Sequence, residues 1–324
     1  MNRHTRLGLG VIGLLLLSGA LLDGRGVLAA ALSAALTCVT LPLGCLLWAL
    51  MLPLIRGQWQ TSLPPGLNAG LACLPWALLG LWVLLPAAWL LYSWSEHPSE
   101  GFRGVWLHPV SFVLRALAYA ALWMWLARRV RAGTGQVGAG LGLILAVLSL
   151  SAAGIDWWLS LDKELASTIF GLFFLTRALL MGLAWAGLKG GKANQRLIRA
   201  LLLGTVLFWA YLHFMQYLVV WGGNLPREIH WYLDRSREGW GAVGLLLLTT
   251  QAILPLVLLA PPWGKRPYLL RWACGLTLLS ALLESAWLGL PSLGLAPSLW
   301  LPVAGLGWAG AITLLTQRGH RREA

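Results

Sequence analysis

The sequence has few charged residues for its length. Only 11% of its 324 residues are Asp, Glu, Lys or Arg, and 58% are hydrophobic. Soluble domains carry roughly a quarter of charged residues. This deficit excludes an ordinary soluble domain, and the long apolar runs that replace the charges predict an all-α integral membrane protein.

Cysteine is scarce as well. The four cysteines lie in apolar runs and form no CxxC pair, so neither a disulfide framework nor a cysteine-ligated metal site is indicated. The chain also lacks a GxxxxGK[ST] phosphate loop, an HExxH zinc helix and a GxSxG nucleophile elbow. Membrane-embedded haem b needs two histidines at matched depth, and only His213 lies well inside an apolar run. We therefore expect no covalently bound or metal-ligated cofactor.

Ten apolar runs are long enough to cross a bilayer, which takes about 20 residues. They span 7–22, 27–54, 67–92, 107–127, 136–155, 167–188, 197–221, 240–259, 268–289 and 295–315. Pro42 and Pro53 predict a tilt or kink in the second run. The first run could alternatively be a signal peptide, but it has no clear small-x-small cleavage site, so we expect a retained helix.

The distribution of Lys and Arg between the runs predicts the topology. Alternate gaps contain sixteen Lys or Arg on one side and six on the other, and nearly all acidic residues fall on the second side. Since cytoplasmic loops are enriched in Lys and Arg, both termini are predicted to be cytoplasmic. The basic residues are scattered in short gaps, which excludes a nucleic-acid-binding face in spite of the net charge of +13.

Four ionisable side chains interrupt the apolar runs: Arg115, Arg177, His213 and Glu284. At about 1.5 Å per residue they lie roughly 8 to 15 Å from the outer ends of their runs. Such residues mark a polar pathway or site by default. We expect a polar pocket open to the outer side, with Glu284 as counter-ion of Arg115 or Arg177. The alternative is one structural salt bridge together with a histidine bonded to a carbonyl.

Two outer segments are rich in polar and aromatic residues. The segment 156–171 begins with Asp156, Trp157 and Trp158, a composition that suits the headgroup level or a helix cap formed by Asp156 or Asp162. The gap 221–240 has a formal charge of zero, so attraction to lipid charge does not explain it. A folded lid or docking surface and an interfacial amphipathic segment are both compatible with it.

The order of rare aromatic and polar residues over 156–240 resembles the polysulfide-reductase or NrfD-like membrane subunits. The closest likeness is to the ActF-type subunit of alternative complex III, a quinol:electron-acceptor oxidoreductase. The residues that carry the resemblance are D-W-W-L-S-L at 156–161, S-T-I-F-G at 167–171, F-W-A-Y at 208–211, F-M-Q-Y at 214–217, Trp221, N-L-P at 224–226, Glu228, W-Y at 231–232, Arg235 and G-W at 239–240.

The resemblance implies two four-helix bundles with peripheral helices in a bacterial inner membrane. It implies three kinds of protein partner: an extracytoplasmic iron–sulfur subunit, multihaem cytochrome c subunits and a second NrfD-like membrane subunit. Quinol or quinone is the only implied ligand. The residues that we expect to face these partners are Trp157, Trp158, Asp162, Asn224, Glu228, Trp231 and Arg235.

The sequence thus predicts a subunit of a quinol-oxidising complex that anchors the extracytoplasmic module and carries a proton half-channel. In this hypothesis Asp156 is the outermost proton acceptor and His213 a relay, and Arg177 with Glu284 forms an electrostatic gate. Arg115 is a further residue of the proposed proton path or quinone contact. Gln216 and Tyr211 orient water or a quinone headgroup. A secondary transporter is the main alternative, although the prolines of the second run have no counterpart in the second half. A purely structural anchor is the third interpretation.

Overall fold

A computed structural model describes residues 19, 21–55, 63–96, 100–162, 164–189, 195–260, 266–307 and 309–310. These residues form helices, turns and short connections, with no strand among them. Eight of the described helices are long and apolar enough to cross a membrane. The chain is therefore an all-helical, multi-pass membrane protein.

The helices are numbered here in chain order, including two short ones outside the membrane. They are α1 (Gly24–Met51), α2 (the interrupted span Pro65–Leu90), α3 (Gly101–Trp106), α4 (Pro109–Arg131), α5 (Gln136–Trp157), α6 (Phe170–Lys189), α7 (Gln195–Gly223), α8 (Pro226–Asp234), α9 (the span Trp240–Leu259) and α10 (Pro267–Gly289).

The observed spans agree with the second to ninth predicted runs. The largest difference at any end is four residues, at the end of α4, where 127 was predicted and Arg131 is observed. Helix α1 passes through Pro42 without ending, and Pro53 follows its end. The first predicted run lies outside the described residues except for 19, 21 and 22. Of the tenth run, 300–307 and 309–310 are helical, and 308 and 311–315 lie outside the described residues.

Helices α1 and α6 form the centre of the bundle. Their backbones come into direct contact at Gly44 and Gly182, because a Cβ atom built on Gly44 would lie 1.7 Å from the carbonyl oxygen of Ala178. Helices α2, α4 and α5 pack around α1, whereas α7, α9 and α10 pack around α6 or one another. We call α1, α2, α4 and α5 the first group of helices and α6, α7, α9 and α10 the second group. The two groups are joined by the α1–α6 contact and also by the packing of α2 and α5 against α6 and of α10 against α1.

Two spans are interrupted within the membrane. Helix α2 contains a turn at Ala72 and Cys73 and a 3₁₀ turn over Gly80–Val83. Helix α9 changes to π-helical geometry over Thr249–Ile253. Both kinds of break release backbone groups from the regular α-helical pattern.

The two ends of the bundle differ in charge. We call the end that contains Asp156, Asp162 and α8 the acidic end. The opposite end, where α4 finishes at Arg131 and α6 at Lys189, is called the basic end.

Candidate functional site

Glu284 is the centre of a buried polar cluster inside the second group of helices. Its carboxylate, on α10, is 1% exposed. Oε1 accepts a hydrogen bond from Trp209 Nε1 at 2.9 Å and lies 3.6 Å from His213 Nε2, both on α7. Oε2 lies 3.8 Å from Arg177 Nε on α6. Three helices therefore bring the Glu284 carboxylate, the Arg177 guanidinium and the His213 imidazole together at membrane depth.

Arg177 is anchored by one side of its guanidinium. Its Nη2 donates to Thr37 Oγ1 and to the carbonyl oxygen of Ala281, both at 2.8 Å, and to Ser285 Oγ. Thr37 Oγ1 in turn is hydrogen-bonded to Ser285 Oγ. These contacts join α1, α6 and α10 and hold Arg177 against Glu284. The expected pairing of Glu284 with Arg177 is thus observed, and the alternative pairing with Arg115 is not.

The contacts of His213 define which ring nitrogen carries a proton. Nδ1 lies 3.1 Å from the carbonyl oxygen of Trp209. Since a carbonyl only accepts, Nδ1 is the donor, and in a neutral ring Nε2 remains an acceptor facing Glu284. The ring stacks on Phe173 and packs against Trp209, with centroid distances of 4.5 and 4.1 Å. One proton can therefore reside on Glu284 or on His213 Nε2.

Several polar atoms of this cluster lack a hydrogen bond among the described residues. They are Arg177 Nε, Arg177 Nη1, Glu284 Oε2 and His213 Nε2. The distance of 3.8 Å between Arg177 Nε and Glu284 Oε2 is too long for a direct hydrogen bond. Buried polar atoms in native proteins are nearly always satisfied, in many cases by ordered water. The unpaired atoms of this cluster are therefore candidates for hydrogen bonds with ordered water.

Asp156 forms a second cluster, in the first group of helices. Its carboxylate accepts from Arg115 Nε at 2.8 Å and Nη2 at 3.2 Å, from Tyr119 OH at 2.9 Å and from Trp106 Nε1 at 3.0 Å. The Arg115 guanidinium also lies over the Trp106 ring, 4.2 Å from its centroid. All of these donors hold α3, α4 and α5 together, so Asp156 has the contacts of a structural anchor.

The structure does not join Asp156 to the Glu284 cluster. Among the described residues no hydrogen bond connects the two. Trp157 lies beside Tyr119, with centroids 6.2 Å apart, and the Trp158 ring lies 5.8 Å from the Arg177 guanidinium. The single route that the sequence suggested, from Asp156 to His213, therefore appears as two separate clusters with indole rings between them.

Replacing Asp156 by Asn should destabilise the protein. The amide keeps one acceptor oxygen, and its NH₂ group faces the donors of Arg115. Removing one member of a buried ion pair costs about 3–5 kcal/mol. The Arg115 side chain is 15% exposed, so we expect about 3 kcal/mol, at the lower limit of that range. Thermal unfolding of the purified protein, followed with a thiol-reactive dye on the buried cysteines, measures it.

Glu164→Gln is the control for this change. Glu164 is exposed at the same end of the bundle. Surface substitutions usually change stability by no more than about 0.5 kcal/mol, so this variant should unfold close to the wild-type temperature. A wild-type unfolding temperature for Asp156→Asn would contradict the anchoring role.

Arg235 attaches α8 to the rest of the acidic end. Its guanidinium is buried 3.5 Å from the Trp231 ring centroid and donates to the carbonyl oxygens of Trp231 and Leu288 and to Ser292 Oγ. Ser292 Oγ donates to Asp162 Oδ2 at 3.2 Å. Burial lowers the pKa of Arg235 to about 9, although Asp162 and Asp234 oppose the shift. Arg235 therefore remains charged at neutral pH and fixes the position of α8.

The other predicted partner-facing residues differ in exposure. Trp157, Trp158 and Trp231 are 0 to 2% exposed and belong to the interior of the bundle. Asn224 is exposed, Glu228 is half-buried, and Asp162 accepts from the backbone N–H groups of Glu164 and Leu165. Trp157, Trp158 and Trp231 thus pack the acidic end from inside, while polar residues of 224–228 lie on its surface.

Gln216 and Tyr211 lie on different sides of α7. Gln216 is buried and accepts from Ser167 Oγ at 2.7 Å. Tyr211 is two residues before His213, so its side chain points about 200° away from that of His213 around the helix. It is 55% exposed. Tyr211 therefore does not line the Glu284 cluster, contrary to our expectation.

Sequence reasoning missed the neutral partners of the charged residues. Trp209, Thr37 and Ser285 complete the Glu284 cluster, and Trp106 and Tyr119 complete the Asp156 cluster. Among these partners, only Trp209 could have been predicted from the sequence, because it precedes His213 by one helical turn and so lies on the same face of the helix. Small hydroxyl residues in apolar runs are too common to identify a partner.

Comparison with protein-family models found no match, and comparison with the curated proteins found none either.

Proposed function

We propose that the chain is the integral membrane subunit of a quinol-oxidising respiratory complex of the alternative complex III type, and that it carries part of a proton path. One observation supports the proton path above all others. The Glu284 carboxylate lies buried between Arg177 and His213, with unpaired polar atoms on all three residues. Ionisable groups at membrane depth are costly and mark proton relays or binding sites by default.

The proposed proton step takes place between Glu284 and His213. A protonated carboxyl transfers its proton from Oε1 to the free Nε2 of the imidazole, which leaves a carboxylate and an imidazolium. The separation of 3.6 Å requires a small approach or one intervening water. Arg177 is a fixed positive charge that stabilises the carboxylate product. Trp209 orients both groups, because its indole donates to Glu284 and its carbonyl accepts from His213.

The proposed orientation places the acidic end outside the cytoplasm of a bacterial cell. The excess of Lys and Arg at the basic end supports it. On this orientation, α8 and the exposed residues around Asn224 form the surface for an iron–sulfur subunit and its cytochromes. The resemblance over 156–240 supports the same partners.

A cavity beside Asp156 offers a place for a quinone headgroup. Its volume is about 250 Å³, and it is lined by aromatic, apolar and charged side chains, including Phe102, Trp106, Asp156 and Asp162. A secondary transporter has less support. In secondary transporters the broken helices occupy corresponding positions in the two halves of the protein. Here the interrupted helix α2 is the second span of the first group, whereas the interrupted helix α9 is the third span of the second group.

Purification from native membranes in mild detergent tests the assignment. We expect iron–sulfur and c-type cytochrome subunits to accompany the chain in mass spectrometry, and the same sample to show a c-type haem spectrum. A colourless chain that stays alone under conditions that preserve such complexes would overturn the proposal. Solute uptake by the isolated chain in liposomes would favour the transporter.

A further inference from the structure

The π-helical turn of α9 lies in the middle of a membrane span. It covers Thr249–Ile253 and is followed at once by Leu254 and Pro255. Pro255 has no backbone N–H, so the carbonyl of Gln251, four residues earlier, loses its α-helical donor. Single π turns are rare and occur frequently at functional sites. The buried Gln251 side chain therefore lies at a change in the backbone hydrogen-bond pattern.

Two buried side chains near this turn have unsatisfied oxygens. Gln251 is 2% exposed and Thr277, on α10, is 1% exposed. Neither Gln251 Oε1 nor Thr277 Oγ1 has a hydrogen-bond partner among the described residues.

Thr277 differs in this respect from most hydroxyl side chains of the spans. Others donate to the carbonyl four residues earlier: Thr37, Thr40, Thr205, Thr249, Thr250, Ser280 and Ser285. A helical threonine that does not use this local acceptor has its hydroxyl free to bind something else.

Packing brings Gln251 and Thr277 to similar levels along the bundle axis, about 3 Å apart at 1.5 Å per residue. Ser280 Oγ lies 2.8 Å from Thr250 Oγ1, which fixes the register of α10 against α9. Gln251 follows Thr250, and Thr277 lies one turn before Ser280, so both are displaced from that bond toward the basic end. Thr277 also precedes Glu284 by seven residues, which is two turns or about 10 Å along the same face of α10.

From this arrangement we infer that Gln251 and Thr277 hold ordered water between α9, α10 and α7. A buried water needs two to four polar partners, and Gln251 Oε1 and the Thr277 hydroxyl supply two. A divalent metal ion does not suit the site, because these partners are neutral and the described residues contain no group of three or more His, Cys, Asp or Glu that could hold one. Together with Ser280 this water forms a polar line from Glu284 toward the basic end.

Water-edited solid-state NMR tests the water site directly. The measurement is the rate of magnetisation transfer from water to the labelled Thr277 side chain in lipid bilayers, with its signal assigned by Thr277→Val. Thr40 is the matched control, because it is equally buried and donates to the carbonyl of Leu36. We expect transfer to Thr277 to be several-fold faster than to Thr40.

Gln251→Leu should remove this difference while preserving the volume of the side chain. Transfer to Thr277 would then fall to the rate for Thr40. Equal rates for Thr277 and Thr40 in the wild type, or a fast Thr277 that Gln251→Leu leaves unchanged, would overturn the water site.

A role for this water in proton transfer rests on the proposed function and needs a separate measurement. If the water supplies Glu284, quinol turnover by the intact complex falls several-fold in Gln251→Leu. If magnetisation transfer from water to Thr277 is fast in the wild type but Gln251→Leu leaves quinol turnover unchanged, the water site is established and the water is excluded from the proton relay. Absence of any complex would instead refute the proposed function and leave the NMR result unaffected.

Discussion

Gly44→Ala should prevent the two central helices from packing and should strongly destabilise the protein. A Cβ atom at this position would lie 1.7 Å from the carbonyl oxygen of Ala178 and 2.9 Å from the backbone nitrogen of Gly182. Backbone atoms cannot rotate away as a side chain can, so α1 and α6 must separate. Overpacking typically costs 1–3 kcal/mol, and we expect about 3 kcal/mol or more at this contact.

The loss can be measured by thermal unfolding with a thiol-reactive dye, since Cys45 and Cys274 are fully buried in the folded protein. Gly275→Ala in α10 is the matched control, because no atom lies within 4 Å of a Cβ built there. Alanine favours helix over glycine by roughly 1 kcal/mol, so this control should be neutral or slightly stabilising. If Gly44→Ala and Gly275→Ala unfold at the same temperature, the α1–α6 contact is not as close as the structure shows.

The sequence predicted the membrane spans well because the bilayer imposes a simple physical rule. A span must be apolar over about 20 residues, and its ends must carry polar groups. The ends of α9 and α10 therefore fall within one residue of prediction. The run that contains Pro42 forms one span, as predicted, because a span can tolerate proline when neighbouring groups satisfy the freed carbonyl. The π turn before Pro255 had no periodicity signal at all.

The partners of the buried charges were only partly predictable. Their location in the outer half or the middle of the membrane made Arg177 and Glu284 candidates for each other, but Arg115 has the same kind of location and was an equal candidate. The choice depends on which helices are neighbours: α4 packs against α5, which places Asp156 beside Arg115, whereas α6 packs against α10, which places Glu284 beside Arg177. Helix adjacency is a tertiary property that hydropathy does not contain.

Exposure around each helix was the second limit. The sequence of a membrane helix does not show which face points to lipid and which to the protein interior, since lipid is as apolar as the core. Tyr211 and His213 therefore looked equally suited to a polar site. In the structure His213 reaches Glu284, whereas Tyr211 is exposed on the opposite side of α7.

His213→Gln and Glu284→Gln together distinguish a proton relay from a structural ion pair. His213→Gln leaves Arg177 and Glu284 paired, so it should assemble normally. Without the imidazole, quinol turnover should nevertheless fall by about 100-fold, the lower limit for loss of a positioned acid or base. Glu284→Gln removes the proton site too and also leaves Arg177 unpaired, which costs about 3–5 kcal/mol.

The measurements are the yield of intact complex and the quinol turnover per complex. Glu164→Gln, at an exposed position of the acidic end, is the control for changing a carboxylate to an amide, and both quantities should stay at the wild-type value. A relay predicts that His213→Gln loses turnover at normal yield. A structural ion pair predicts normal turnover in His213→Gln and a low yield in Glu284→Gln alone, because only that variant leaves a buried charge without its partner. The His213 variant therefore decides between the two roles, since its contact with Glu284 can be removed without disturbing the ion pair.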